Sequence, residues 1–130
     1  MRRFALALAS LFIFAGVAQA SPSTVSVTGS AGHNAVWVAF TITADGPASA
    51  VATFAAKKAA SYSLRIEDYH LCGGVICILP GDQVWCYTYA YASPLECDAD
   101  LPAGSYRAIF VNYGNPAVNV TLSVTGELAP

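Results

Sequence analysis

Val118-Asn119-Val120-Thr121-Leu122-Ser123-Val124-Thr125 decides the fold. Apolar and polar side chains alternate at every step. A period of two marks a strand with one face on a core and the other in water. The same period recurs towards the N-terminus. Tyr62, Leu64 and Ile66 alternate with Ser63, Arg65 and Glu67. Val36, Val38, Phe40 and Ile42 alternate with Trp37, Ala39, Thr41 and Thr43, and Val25-Ser26-Val27-Thr28 leads into Gly29. Turn-forming residues punctuate these runs at Ala31-Gly32, Asp45-Gly46-Pro47, Gly73-Gly74, Pro80-Gly81-Asp82, Ser93-Pro94, Pro102-Ala103-Gly104 and Asn112 to Pro116. The pattern predicts an all-β protein, an antiparallel β-sandwich of seven or eight short strands. The segment Ala48 to Ala60 holds seven alanines and also admits a helix, but Ser49, Val51, Thr53 and Phe54 favour a strand.

The chain has 130 residues, 55% hydrophobic and 11% charged, with a mean hydropathy of +0.50. That composition excludes a disordered protein, and the length suits one domain. Residues 1–20 read as a signal peptide. Arg2 and Arg3 form a positive start, Phe4 to Val17 is almost wholly apolar, and Ala18-Gln19-Ala20 offers a small-x-small cleavage site after Ala20. The apolar run is too short for a membrane anchor, and no later stretch is long and apolar enough to span a bilayer. The expected domain is therefore 21–130, secreted to an extracellular or periplasmic compartment. Without the signal, Lys57, Lys58, Arg65 and Arg107 face eight acids, four minus eight or −4. Nucleic acid and anionic membrane surfaces are poor partners for such a chain.

Export sets the reading of Cys72, Cys77, Cys86 and Cys97, an even count that predicts two disulfides. No C-x-x-C occurs and the two histidines lie far apart, which disfavours zinc. Pairing Cys72 with Cys77 across Gly73-Gly74, and Cys86 with Cys97, is favoured. Cys77–Cys86 with Cys72–Cys97 is the rival, if Pro80-Gly81-Asp82-Gln83 closes a hairpin.

Tyr62-Ser-Leu-Arg-Ile-Glu-Asp68, Leu101-Pro-Ala-Gly-Ser-Tyr-Arg-Ala-Ile-Phe-Val111 and Ala117-Val-Asn-Val-Thr-Leu-Ser-Val124 together resemble the bacterial pre-peptidase C-terminal (PPC) domain. Leu101–Tyr106 is the distinctive part. The family carries a similar turn-and-strand before its last strand. The likeness implies a jelly-roll-like sandwich that acts as a secreted accessory or binding module. The cysteine-rich centre departs from the family pattern, and no peptidase domain accompanies it in this chain.

Catalytic constellations are sparse. No Gly-x-Ser-x-Gly elbow occurs, and the histidines are His33, in a turn, and His70, at a strand end. Asp68 and His70 are two residues apart and could pair, but a polar strand end explains them more simply. Glu96, Asp98 and Asp100 share one face at period two. They are candidates for a carboxylate pair or for calcium, yet they lack the glycine and closing glutamate of an EF-hand loop, so solvated acids are favoured. Asp45 and Asp82 suit turns.

Val84-Trp85-Cys86-Tyr87-Thr88-Tyr89-Ala90-Tyr91 places Trp85, Tyr87, Tyr89 and Tyr91 on one strand face. With the Cys86 face inward, the rings form an outward ladder suited to stacking on sugar or peptide. With the ladder inward, Ala50, Ala52 and Ala56 would supply small partners for it. Aromatic rows are usually packed away, which favours the core reading. The expected function is a secreted, non-catalytic binding or accessory module for a glycan or another extracellular surface. Trp85, Tyr87, Tyr89 and Tyr91 are its candidate site, and no cofactor is implied. The alternatives are a secreted inhibitor of a foreign enzyme, presenting the Cys72–Cys77 loop or the segment between Cys86 and Cys97, and, less favoured, a small hydrolase.

Overall fold

The computed structural model describes residues 22–130, so the signal-peptide reading of residues 1–20 lies outside the described residues. Ten strands follow: β1 Ser23–Ala31, β2 Val36–Ile42, β3 Gly46–Phe54, β4 Tyr62–Asp68, β5 His70–Cys72, β6 Val75–Cys77, β7 Val84–Ala90, β8 Leu95–Leu101, β9 Gly104–Asn112 and β10 Val118–Gly126. Every pairing is antiparallel. One sheet has the order β2-β9-β4-β7, the other β1-β10-β3-β8, and β5-β6 is a separate hairpin. No described helix is long and apolar enough to cross a membrane.

Apart from the hairpin, four of the six pairings nest, β1 with β10, β2 with β9, β3 with β8 and β4 with β7, and the other two, β4 with β9 and β3 with β10, join these pairs side by side into the two sheets. A long double ribbon rolled on itself gives this order, the jelly-roll form of the sandwich. The expected strand number holds for the sandwich, and the hairpin adds two.

The alternating runs behave as strands for the predicted reason. In β10, Val118, Val120, Leu122 and Val124 are buried while the residues between them face water. Three direct cross-strand pairs on that wet face join β10 to β1 through hydroxyls: Thr24–Thr125 at 2.9 Å, Ser26–Ser123 at 2.7 Å and Thr28–Thr121 at 3.3 Å. The first half of the alanine-rich segment, through Phe54, lies in strand β3, where Ala48, Ala50 and Ala52 are buried, and residues 55–60 form a connection without strand or helix. Small inner side chains there leave room for the rings of Phe54, Tyr62 and Phe110, which cluster with centroids 4.4–5.8 Å apart. Phe40 and Tyr106 stack nearby, at 5.9 Å. The Tyr62 hydroxyl, fully buried with its ring, accepts a hydrogen bond from the Lys57 amide at 2.8 Å.

Cys86–Cys97 and Cys72–Cys77 are the disulfides, and no cysteine is free. Cys86 lies on β7 and Cys97 on β8, so their bridge joins an edge of one sheet to an edge of the other. Cys72–Cys77 closes the β5-β6 hairpin, whose two-residue turn Gly73-Gly74 takes φ of 62° and 83°. Positive φ at both central residues defines the mirror-image turn that matches strand twist, and glycine adopts it without strain. The rival pairing required Cys77 opposite Cys86; instead Cys77 lies opposite His70 and Cys86 opposite Ile66. Two closed bridges suit an oxidising compartment.

Candidate functional site

β7 does not carry four rings on one face. Ile66 of β4 faces Cys86, but Glu67 faces Val84, so Trp85 is an extra residue in a β-bulge. The extra residue lets Trp85 and Cys86 both turn towards the interior, where they pack on the core. The Trp85 ring meets Tyr106 edge-on at 6.1 Å, and its Nε1 donates to Asp68 Oδ1 at 2.8 Å. Tyr106 in turn donates to the Pro102 carbonyl at 2.5 Å, and burial, then the nearby charges of Asp68 and Asp45, pushes its phenol pKa upward. Beyond the bulge the alternation resumes. Tyr87, Tyr89 and Tyr91 lie outside, 55%, 49% and 64% exposed, so the ladder is not core. Four rings would not fit inward here because Phe54, Tyr62, Tyr106 and Phe110 already fill the space between the sheets.

The tyrosines form a cluster with a fourth, Tyr113, from the end of β9. Tyr89 lies 5.9 Å from Tyr91 and 6.0 Å from Tyr113. The Tyr113 hydroxyl is 3.0 Å from Ser63 Oγ, which is wholly buried beneath the rings. The Tyr113 hydroxyl raises the Tyr87 phenol pKa, and hydrogen bonding with Tyr89 raises that of Tyr91.

Register places charge beside these rings. One row across the outer face reads Trp37, Ile109, Arg65, Tyr87, and the next reads Ala39, Arg107, Glu67, Val84. At about 4.8 Å per strand, Trp37 and Tyr87 stand about 14 Å apart. Between them Glu67 accepts from Arg65 Nε and from Arg107 Nε, both at 2.6 Å. Burial alone would raise the Glu67 pKa, but the hydrogen bonds and charges of the two arginines outweigh it and hold the pKa below its ordinary value. The Arg107 guanidinium also lies 5.2 Å from the Trp37 ring centroid, and Trp37 lies 5.8 Å from Tyr69.

The β5-β6 hairpin walls this face at one end. Leu71, Val75, Ile76, Ile78 and Leu79 are exposed on it and on the turn that follows, Ile78 to 87%. A cleft of about 350 Å³ separates Ile76 and Ile78 from Val84, Glu67 and Arg107. Every large hydrophobic side chain exposed among the described residues belongs either to this hairpin segment or to the sheet beside it, where Trp37, Val84, Tyr87, Tyr89, Tyr91 and Tyr113 lie. The outer face of the other sheet carries serine, threonine and acid instead.

The remaining candidates are dispersed. His70 pairs with Asp82 through Nε2 and Oδ1 at 2.8 Å, not with Asp68. Asp68 is taken up by Trp85 and by the Gln83 amide at 3.0 Å, so the two residues form no catalytic pair. Asp82 closes its own turn by accepting from the Leu79 amide at 2.8 Å, and Asp45 accepts from the Ala103 amide at 2.9 Å. His33 is an exposed loop residue. Glu96, Asp98 and Asp100 lie exposed along β8, opposite Val51, Ser49 and Pro47. Asp98 and Asp100 border a groove of about 670 Å³, but no three acids, histidines or cysteines converge as metal ligands among the described residues. The Arg65–Glu67–Arg107 network was missed by sequence reasoning, although the i, i+2 spacing of Arg65 and Glu67 already puts them on one face.

No family model matches the chain, and no curated protein matches it. Among solved structures it is similar to the Yersinia pseudotuberculosis-derived mitogen, at 17% identity and a TM-score of 0.55, over 84% of this chain and 96% of that one. That likeness concerns the fold: two antiparallel β-layers packed as a sandwich.

Proposed function

We propose that the chain is a secreted, non-catalytic binding module, exported with cleavage after Ala20, and that its ligand surface is the outer face of the β2-β9-β4-β7 sheet. The observation that carries the reading is the gathering of exposed rings and aliphatic side chains on one side of the molecule. Water-facing apolar surface concentrated in this way marks a contact surface. Four exposed tyrosines, Trp37 across the sheet and a polar band between them suit a carbohydrate, whose apolar ring faces stack while its hydroxyls are hydrogen-bonded. The accessory role implied by the PPC resemblance points the same way. A glycan array probed with the wild-type protein and Tyr89→Ala tests the proposal. A bound glycan that is lost in the variant, with the fold intact by circular dichroism, is the expected result. Retention of all signals by Tyr89→Ala would refute it.

A second reading, a secreted inhibitor, is favoured by the disulfide-tied hairpin and by Ile78 projecting beside it. In that case a panel of secreted hydrolases would contain an enzyme blocked by the wild type and not by Ile78→Ser, with Tyr89→Ala still active as an inhibitor.

A further inference from the structure

We infer that the saccharide bound on this face carries a carboxylate, and that Arg65 and Arg107 receive it; the inference rests on the binding surface proposed above. Each arginine gives its Nε to Glu67. Among the described residues, neither guanidinium's Nη groups have a hydrogen-bond partner. Two guanidinium groups sharing one carboxylate leave the network one negative charge short. Both side chains are mostly covered, 26% and 17% exposed, so the unpaired donors are held in place and partly dehydrated. A planar fork of N–H groups fixed in this way matches a carboxylate in both geometry and charge.

The surroundings select where the carboxylate sits. Tyr87 is the direct cross-strand neighbour of Arg65, and Trp37 stacks near Arg107. A sugar ring on either aromatic side chain brings a carboxylate on that ring to the Nη groups. At the hairpin end, Asp68 and Asp82 line the cleft beyond Arg107 and repel an anion. The acids of β8 lie on the opposite sheet. An acidic sugar is therefore directed to the open part of the face, between Trp37 and Tyr87. Uronic and sialic acids share this chemistry.

Isothermal titration calorimetry with two matched pairs of probes tests the inference: trigalacturonate against its methyl ester, and sialyllactose against lactose. In at least one pair the acidic member should bind about tenfold more tightly, as a charge-assisted contact implies. The pair that shows the preference identifies uronate or sialate as the source. Arg65→Gln and Arg107→Lys should each narrow the gap to within about twofold, and rising salt should narrow it as well. Arg107→Lys keeps the charge, and a circular dichroism spectrum and melting temperature matching the wild type separate its loss of preference from misfolding. Tyr89→Ala should weaken acidic and neutral members alike. Equal affinities within both pairs, or a preference that survives both arginine variants, would overturn the carboxylate assignment while the aromatic surface stood if Tyr89→Ala still weakened binding. Failure of all four probes to bind would overturn it too.

Discussion

Truncating Trp85 and truncating Tyr89 should have opposite consequences, although the two residues sit four apart on the same strand. Removing a fully buried aromatic costs about 3–5 kcal/mol. Trp85 is only partly buried, but it also loses the indole hydrogen bond to Asp68 and its edge contact with Tyr106. Trp85→Ala should therefore cost about 2–4 kcal/mol. For a domain near 110 residues, at roughly 4 °C per kcal/mol, the melting temperature falls by about 8–16 °C. Trp85→Phe keeps most of the packing and loses the hydrogen bond, so it should fall about a third as far. Tyr89 stacks only on neighbouring exposed rings, and Tyr89→Ala should leave the melting temperature within about 3 °C of wild type. Thermal melts followed by circular dichroism at one protein concentration measure all three. Equal falls for Trp85→Ala and Tyr89→Ala would mean that the bulge does not separate inner from outer rings. The assignment of the tyrosines to a binding face would then fail.

Four further outcomes follow from the disulfides, a buried amide and the Glu67 ion pairs. Replacing Cys86 and Cys97 together by alanine removes the bond between the two sheets and should cost about 3 kcal/mol, read by chemical denaturation. The double replacement of Cys72 and Cys77 should leave the sandwich transition nearly unchanged, while the hairpin becomes sensitive to limited proteolysis. Asn112, only 7% exposed, donates to the Ala31 and Pro116 carbonyls and accepts from the Gly114 amide. Asn112→Ala leaves the buried Ala31 carbonyl and two half-buried backbone groups without this partner and should cost about 2–3 kcal/mol by the same denaturation assay. Because the Glu67 pKa is lowered on folding, its contribution is complete above its unfolded value of 4.5 and disappears as pH falls through the lower folded value. The melting-temperature difference between wild type and Glu67→Gln should hold steady from pH 5 to 7 and shrink below pH 4.5.

The strands were legible because their signal is local. Val118 to Thr125 and Tyr62 to Glu67 alternate within a few residues, and burial follows the alternation except at Ser63, which Tyr113 covers from the outer face. The Cys72–Cys77 hairpin was equally legible, since two glycines between short apolar runs specify the turn. What escaped depends on partners distant in sequence. Nothing within Val84–Tyr91 announces a bulge, because the alternation is unbroken there; the bulge is a property of the register with β4. Arg107 meets Glu67 only because β9 lies between β2 and β4, forty residues further along the chain. Leu101–Tyr106 links β8 to β9, where Tyr106 folds its hydroxyl back to Pro102. The turn chemistry behind the PPC resemblance therefore has a visible local purpose.

The nesting of the strands also sets an order in time. Among the described residues β1 is the first strand to be made, and its only sheet partner there is β10, the last. β3 likewise lacks one neighbour until β10 arrives, and β2 waits for β9. β4 likewise pairs with β7 but lacks β9, so all four of the first described strands remain incompletely paired until the C-terminal end is available, and long-range pairings of this kind form slowly. A growing chain cannot lock itself into the sandwich halfway. It stays incompletely paired for as long as it is being made, and the two sheets are complete only once the last strand is free.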